Sequence, residues 1–194
     1  GLRPYQAEAV GFVRALGGVI LGLPMGAGKS LVALEARTRD RPTLIICPAA
    51  VKGVWAGKAG EIQKWIQDAD VRVCTGRTPP PAILAGVSAR SFLVINYELL
   101  DERRTDELDD AGKRKRAPSA WVEALRNLDF GTVILDEAHG IKSRAGARTA
   151  GIKAVTKGRD ALRIALTGTP IWNRPADLWS LLDWVKPGAW GSFW

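Results

Sequence analysis

Val19-Ile20-Leu21-Gly22-Leu23-Pro24-Met25-Gly26-Ala27-Gly28-Lys29-Ser30 is the stretch on which the reading of this chain turns. A short apolar run with β preference enters a glycine-rich turn, and a helical pattern predicted over Ser30–Arg39 follows at once. Strand, loop and helix in that order are the setting of a phosphate-binding loop, G-x-x-x-x-G-K-[ST]. Leu23 stands where that pattern has its first glycine; the rest matches. Gly26 and Gly28 let the backbone wrap closely, so that its N–H groups, Ala27 included, and the helix N-terminus face phosphate oxygens. Lys29 is placed to reach the β- and γ-phosphates of a nucleoside triphosphate, and the Ser30 hydroxyl to ligate Mg²⁺. The plainer alternative is a glycine-rich turn ahead of an ordinary helix.

Working outward, Thr43–Cys47, Val71–Cys74, Phe92–Ile95, Thr132–Leu135 and Leu162–Leu166 read, with Val19–Leu21, as strands buried on both faces. Between them Val51–Ile66, Ser119–Leu128 and Ala145–Val155 read as helices. This alternation predicts an α/β fold, a parallel sheet with helices on both faces. Residues 101–118, charged and poor in large apolar side chains, read as a surface insertion. A last helix is predicted from Pro175 to before Pro187, with Leu178, Leu181, Leu182 and Val185 on one face. Five of the eight tryptophans follow residue 170 and are assigned to packing.

A chain of 194 residues with 46% hydrophobic residues can bury one substantial core. No apolar run approaches the roughly 20 residues that span a bilayer, so no membrane partner is expected. Cys47 and Cys74 lie in apolar runs, which argues against a disulfide framework and for a reducing compartment. The start at Gly1 and the stop at Trp194 are read as those of a fragment. The net charge of +8 is uneven: residues 139–163 carry seven basic side chains against Asp160 alone. Such a segment suits a polyanion or, more simply, forms a solvated helix face.

A second motif lies at Asp136-Glu137-Ala138-His139, directly after the β-branched run ending at Leu135. A carboxylate at the carboxyl end of a sheet strand is well placed to meet Mg²⁺ held near a neighbouring strand. Asp136 is the candidate metal carboxylate, and Glu137 the group that orients and deprotonates an attacking water. His139 is the single histidine, so a zinc site lacks partners.

Taken together, "LPMGAGKS" and "LDEAH" resemble motifs I and II of superfamily 2 helicases, whose first motif tolerates a residue other than glycine at the Leu23 position. The chain is similar, more narrowly, to the Swi/Snf-type branch of DNA translocases, annealing helicases and remodellers. "LRPYQAEAV" (Leu2–Val10) looks like that branch's adenine-recognition motif, with Gln6 in the glutamine place. "TLIICPAAVKGVWAGKAGEIQKW" resembles the strand–Pro–helix motif that touches DNA, and "FLVINYELL" the tracking-strand motif around Tyr97. "LTGTPIWNRPADLWSLLDWVKPGAWGSF" is similar to the Leu-Thr-Gly-Thr-Pro motif and the helix after it. Leu23-Pro24 departs from the acidic pair usual in this branch.

The resemblance implies one RecA-like lobe over residues 1–194, binding ATP (with ADP as product) and Mg²⁺, in a motor that works in the cytoplasm at the nucleoid or in the nucleus. The Gln6 amide, one donor and one acceptor, fits an adenine edge. Thr167, Gly168 and Thr169, with His139, are candidates to couple nucleotide state to the rest of the lobe. Pro48, Lys52, Asn96, Tyr97, Lys142, Arg144 and Arg148 are candidate contacts to double-stranded DNA phosphates. Members of this branch have a second RecA-like lobe carrying an arginine finger, and nothing here resembles it, so the lobe alone is expected to bind nucleotide and to hydrolyse it weakly. The motifs leave open a strand-separating helicase, a restriction or repair motor, or a nucleotide-gated scaffold without turnover.

Overall fold

The computed structural model describes residues 1–138, 141, 146–158, 160–168 and 175–191. Six strands form one wholly parallel sheet: β1 (Gly18–Leu21), β2 (Thr43–Cys47), β3 (Asp70–Val73), β4 (Ser91–Asn96), β7 (Thr132–Leu135) and β8 (Leu162–Leu166), in the order β1-β8-β7-β2-β4-β3. The central strands alternate between two core layers, which is why they read as unbroken apolar runs. Ile45, Cys47, Phe92, Val94, Ile134, Ile164 and Leu166 face one layer, packed with side chains of α1 (Pro4–Leu16), α2 (Lys29–Ala36), α3 (Lys52–Ala56) and α4 (Glu61–Trp65). Leu44, Ile46, Leu93, Ile95, Val133, Leu135 and Ala165 face the other, packed with α6 (Ala120–Leu125), α7 (Ala147–Thr156) and α8 (Pro175–Val185).

Several expectations change in detail. The edge strands are not buried on both faces: in β1 only Val19 and Leu21 are fully buried, and all of β3 is half-exposed, because an edge strand has a neighbour on one side only. The single helix expected over residues 51–66 is a 3₁₀ turn (Ala49–Val51) followed by α3 and α4, broken where the chain turns through Gly57–Gly60. Helix α1 and the short α5 (Pro81–Leu84) are additional elements. The surface insertion is an antiparallel hairpin of β5 (Arg103–Leu108) and β6 (Arg114–Ala117), separate from the main sheet. Among the described side chains of α8 those fully buried are Ser180, Leu181, Trp184 and Val185, whereas Leu178 and Leu182 are half-buried. Trp184 therefore takes the place expected for a leucine.

Cys47 and Cys74 are free and buried, and burial pushes each thiol up to about 12, so neither is a reactive thiolate at neutral pH. Among the described residues no helix is long and apolar enough to cross a membrane.

Candidate nucleotide-binding site

Strand order decides which loops meet. β8 lies between β1 and β7, with Leu21 in register with Leu166 and Leu135 with Ala165. Parallel pairing puts all three carboxyl ends on one edge of the sheet. The loop after β1 and Asp136 after β7 are thus two strand spacings apart, roughly 10 Å. Thr167 and Gly168 emerge between them, the Thr167 N–H donating to the Leu21 carbonyl at 3.3 Å. β7 and β8, the strands that Asp136 and Thr167 follow, are direct neighbours. Thr169 and His139 lie outside the described residues.

The loop is held from beneath by α1. Gln6, 6% exposed, donates through Nε2 to the Ala27 carbonyl at 3.1 Å and accepts the Arg3 N–H on Oε1 at 2.9 Å. Tyr5 donates its hydroxyl to the same Ala27 carbonyl at 2.9 Å. Each face of the Gln6 amide thus has one bond inside the lobe, leaving one N–H and one lone pair. Gly26 and Gly28 have φ of +76° and +78°, and Gly28 caps α2. The Lys29 ammonium folds back into the loop, donating to the carbonyls of Leu23 at 2.8 Å and Pro24 at 3.1 Å. Leu23 does not have the positive φ that Gly26 and Gly28 have, so its place in the loop does not call for glycine.

Across the edge, each oxygen of the Asp136 carboxylate takes a hydrogen bond. Oδ1 accepts from the Glu137 N–H at 3.0 Å and Oδ2 from the Trp55 indole at 2.8 Å. The Asp136 carbonyl accepts the Tyr97 hydroxyl at 2.8 Å. Burial raises the Asp136 carboxyl above its ordinary range and the Glu137 charge adds to this, while the Trp55 and Glu137 hydrogen bonds and the Lys29 charge oppose it. Glu137 has φ of +48°, the only described residue other than glycine in the left-handed region. Such a backbone costs roughly 1–3 kcal/mol and is characteristic of functional sites. The donor set fits Mg²⁺, which takes hard oxygens from one or two carboxylates besides phosphate and water. Each Asp136 oxygen keeps an acceptor position, and Ser30 supplies a hydroxyl in the first turn of α2.

The DNA-contact candidates divide. Pro48 and Lys52 follow β2, Asn96 ends β4 and Tyr97 follows it in a 3₁₀ turn, and β4 pairs with β2 through Cys47 and Asn96. Lys52 is half-buried, its ammonium donating to Asn96 Oδ1 and the Cys74 carbonyl, each at 2.9 Å. Tyr97 is 2% exposed, so its ring faces the core and not a DNA surface; its hydroxyl supports Asp136 instead. Arg148 pairs with Glu98 at 3.3 Å and Asp101 at 3.5 Å, and its guanidinium lies 5.4 Å from the Tyr97 ring centroid. The basic excess of residues 139–163 is consequently no open patch where it is described. Lys153 pairs with Asp183, and the buried Arg163 donates to the carbonyls of Trp184 and Thr156. Lys157 is exposed. Lys142 and Arg144 lie outside the described residues.

Residues 5–194 match the SNF2-related domain. The chain belongs to that family. Among solved structures, this SNF2-related domain is similar to the Sulfolobus solfataricus SWI2/SNF2 ATPase core in complex with dsDNA. The TM-score is 0.74 and the identity 26%, over 99% of this chain and 37% of that one. That likeness makes the parallel sheet a RecA-like ATPase fold. Protein CHROMATIN REMODELING 19 of Arabidopsis thaliana is 27% identical over 96% of this chain and 25% of its own length. The DNA annealing helicase and endonuclease ZRANB3 of Bos taurus is 28% identical over 99% of this chain and 16% of its own length. The SNF2-related domain thus spans a quarter or less of these two curated relatives.

Two site residues escaped the sequence reading. Tyr5 adjoins Gln6, and its position one residue earlier was the only available cue. Trp55 had a clearer one: an indole in a short Ala/Gly-rich helix is buried on folding and its N–H then needs a partner.

Proposed function

We propose that this SNF2-related domain is the first motor lobe of an ATP-dependent double-stranded DNA translocase. The observation that carries the reading is the meeting, on one sheet edge, of the Lys29 loop, the Ser30 helix start and the doubly hydrogen-bonded Asp136. Loop N–H groups and Lys29 take the phosphates, Lys29 exchanging its two loop carbonyls for phosphate oxygens. Ser30 and Asp136 hold Mg²⁺, which when bound neutralises charge on the phosphates. Glu137 orients the attacking water and accepts its proton. DNA phosphates are met along the ends of β2 and β4 around Pro48, Lys52 and Asn96, contacts that position the protein without reading sequence.

A second RecA-like lobe in the same full-length protein completes the site with an arginine, a group worth about 10³–10⁵ in rate in related chemistry. The dsDNA in complex with the Sulfolobus ATPase core, and the DNA annealing helicase among the relatives, support this reading. Such a motor works where DNA is, in the cytoplasm at the nucleoid or in the nucleus. The test is ATP turnover by the full-length protein with and without duplex DNA. Turnover is expected to be DNA-stimulated, to fall at least about 100-fold in Lys29→Ala and Glu137→Gln, and to show DNA affinity that drops steeply with salt. A Glu137→Gln protein with wild-type turnover would instead make this a nucleotide-gated scaffold.

A further inference from the structure

We propose that Trp55 and Tyr97 are positioning residues for Asp136, and that through them the surface carrying Lys52, Asn96 and Arg148 controls how firmly Mg²⁺-nucleotide is held. The proposal rests on the ATP-binding reading above and adds to it the residues that link its two surfaces. Trp55 is 1% exposed, and its indole N–H, a donor only, ends on Oδ2 of Asp136 at 2.8 Å. The Tyr97 hydroxyl ends on the Asp136 carbonyl at 2.8 Å. One residue is thus held at two points, side chain and main chain, by donors from two different elements. A carboxylate fixed in this way presents its remaining lone pairs in one direction, which is what outer partners of metal ligands do.

Both donors are attached to candidate phosphate contacts. Trp55 lies three residues after Lys52 in α3, and the Lys52 ammonium bridges to Asn96 Oδ1 and the Cys74 carbonyl. Tyr97 follows Asn96 directly, and Arg148 lies over its ring while paired to Glu98 and Asp101. An arriving phosphate competes for the Lys52 ammonium and the Arg148 guanidinium, and so acts on the two elements that hold Asp136. Burial alone does not explain the arrangement. Trp121 is as deeply buried and also donates from its indole, at 2.7 Å, yet to the Gly76 carbonyl.

The experiment compares wild type, Trp55→Phe, Tyr97→Phe and Trp121→Phe in the full-length protein. Binding of a fluorescent ADP analogue is titrated with Mg²⁺ and repeated in EDTA, with thermal unfolding followed alongside. Trp55→Phe and Tyr97→Phe are expected to raise the half-maximal Mg²⁺ concentration about 10-fold or more while metal-free binding changes less than about 2-fold. Trp121→Phe is expected to lower the unfolding midpoint without moving the Mg²⁺ titration. Wild-type Mg²⁺ titrations in both Asp136-facing variants, or an equal shift in Trp121→Phe, overturn the proposal. Should Trp55→Phe fail to fold, Tyr97→Phe, which loses a single oxygen, decides alone. A wild-type protein that binds no nucleotide overturns the functional reading itself, an outcome distinct from nucleotide binding that ignores both variants.

Discussion

Replacing Gly28 with alanine tests the join between α1 and the phosphate loop. Its φ of +78° lies in the region an L-residue enters at roughly 1–2 kcal/mol. An added Cβ would also stand 2.5 Å from Nε2 of Gln6. That amide ends a flexible side chain and can swing aside, but it then gives up its bonds to the Arg3 N–H and the Ala27 carbonyl. Each is worth about 0.5–1.5 kcal/mol, so Gly28→Ala should destabilise the fold by about 2–5 kcal/mol. In a Gln6→Ala background those bonds are already gone, and the same change should cost only the backbone term, about 1–2 kcal/mol. A double-mutant cycle by urea unfolding, with unchanged slopes, should therefore return a coupling of about 1–3 kcal/mol. The double variant should be more stable than the sum of the single losses predicts. Costs that add to within about 0.5 kcal/mol would refute the contact and, with it, the account of how α1 shapes the loop.

Gly151 in α7 faces the turn at residues 97–100, where an added Cβ would run into the Leu100 carbonyl, a backbone atom that cannot rotate away. Gly151→Ala should push α7 outward, lower stability by about 3 kcal/mol and drop the unfolding midpoint about 6–12 °C; an unchanged midpoint in calorimetry refutes that packing. Asp136→Asn tests what the buried carboxyl contributes to the pH dependence of stability. Because burial raises the folded carboxyl's pKa, the folded state binds that proton more readily than the unfolded state, and the carboxylate costs stability as pH rises from the unfolded value through the folded one. Asparagine removes that titration but offers one carbonyl oxygen where the Trp55 indole and the Glu137 N–H each find an acceptor, leaving a donor unpaired at about 1–3 kcal/mol. The variant should melt lower than wild type, by an amount that shrinks as pH rises, while Mg²⁺-dependent turnover of the full-length protein is lost. Thermal melts across pH 4–8 check the sign.

The sheet was legible in the sequence because strands covered on both faces need apolar residues at every position, and β2, β7 and β8 have the bounds read from their apolar runs. The loop from Gly26 to Ser30 and the strand-end Asp136 were legible for a related reason: their geometry depends on local backbone, glycine at positive φ and a carboxylate just past a strand. Partnership across the fold was not legible. The basic excess suited a polyanion or, more simply, a solvated helix face, and neither reading foresaw that Arg148 and Lys153 pair with acids some 30 to 50 residues away. Tyr97 looked like a contact and is a buried prop, and Trp55 escaped notice although its bond to Asp136 closes a separation of 81 residues. Local composition therefore determined the strands, the phosphate loop and the carboxylate of this protein. Which charges are free, which aromatic groups hold the carboxylate, and which loops share an edge were decided only when the strand order β1-β8-β7-β2 brought distant segments together. Propensity acts over a few residues, whereas a hydrogen bond or an ion pair requires only that two groups meet in space.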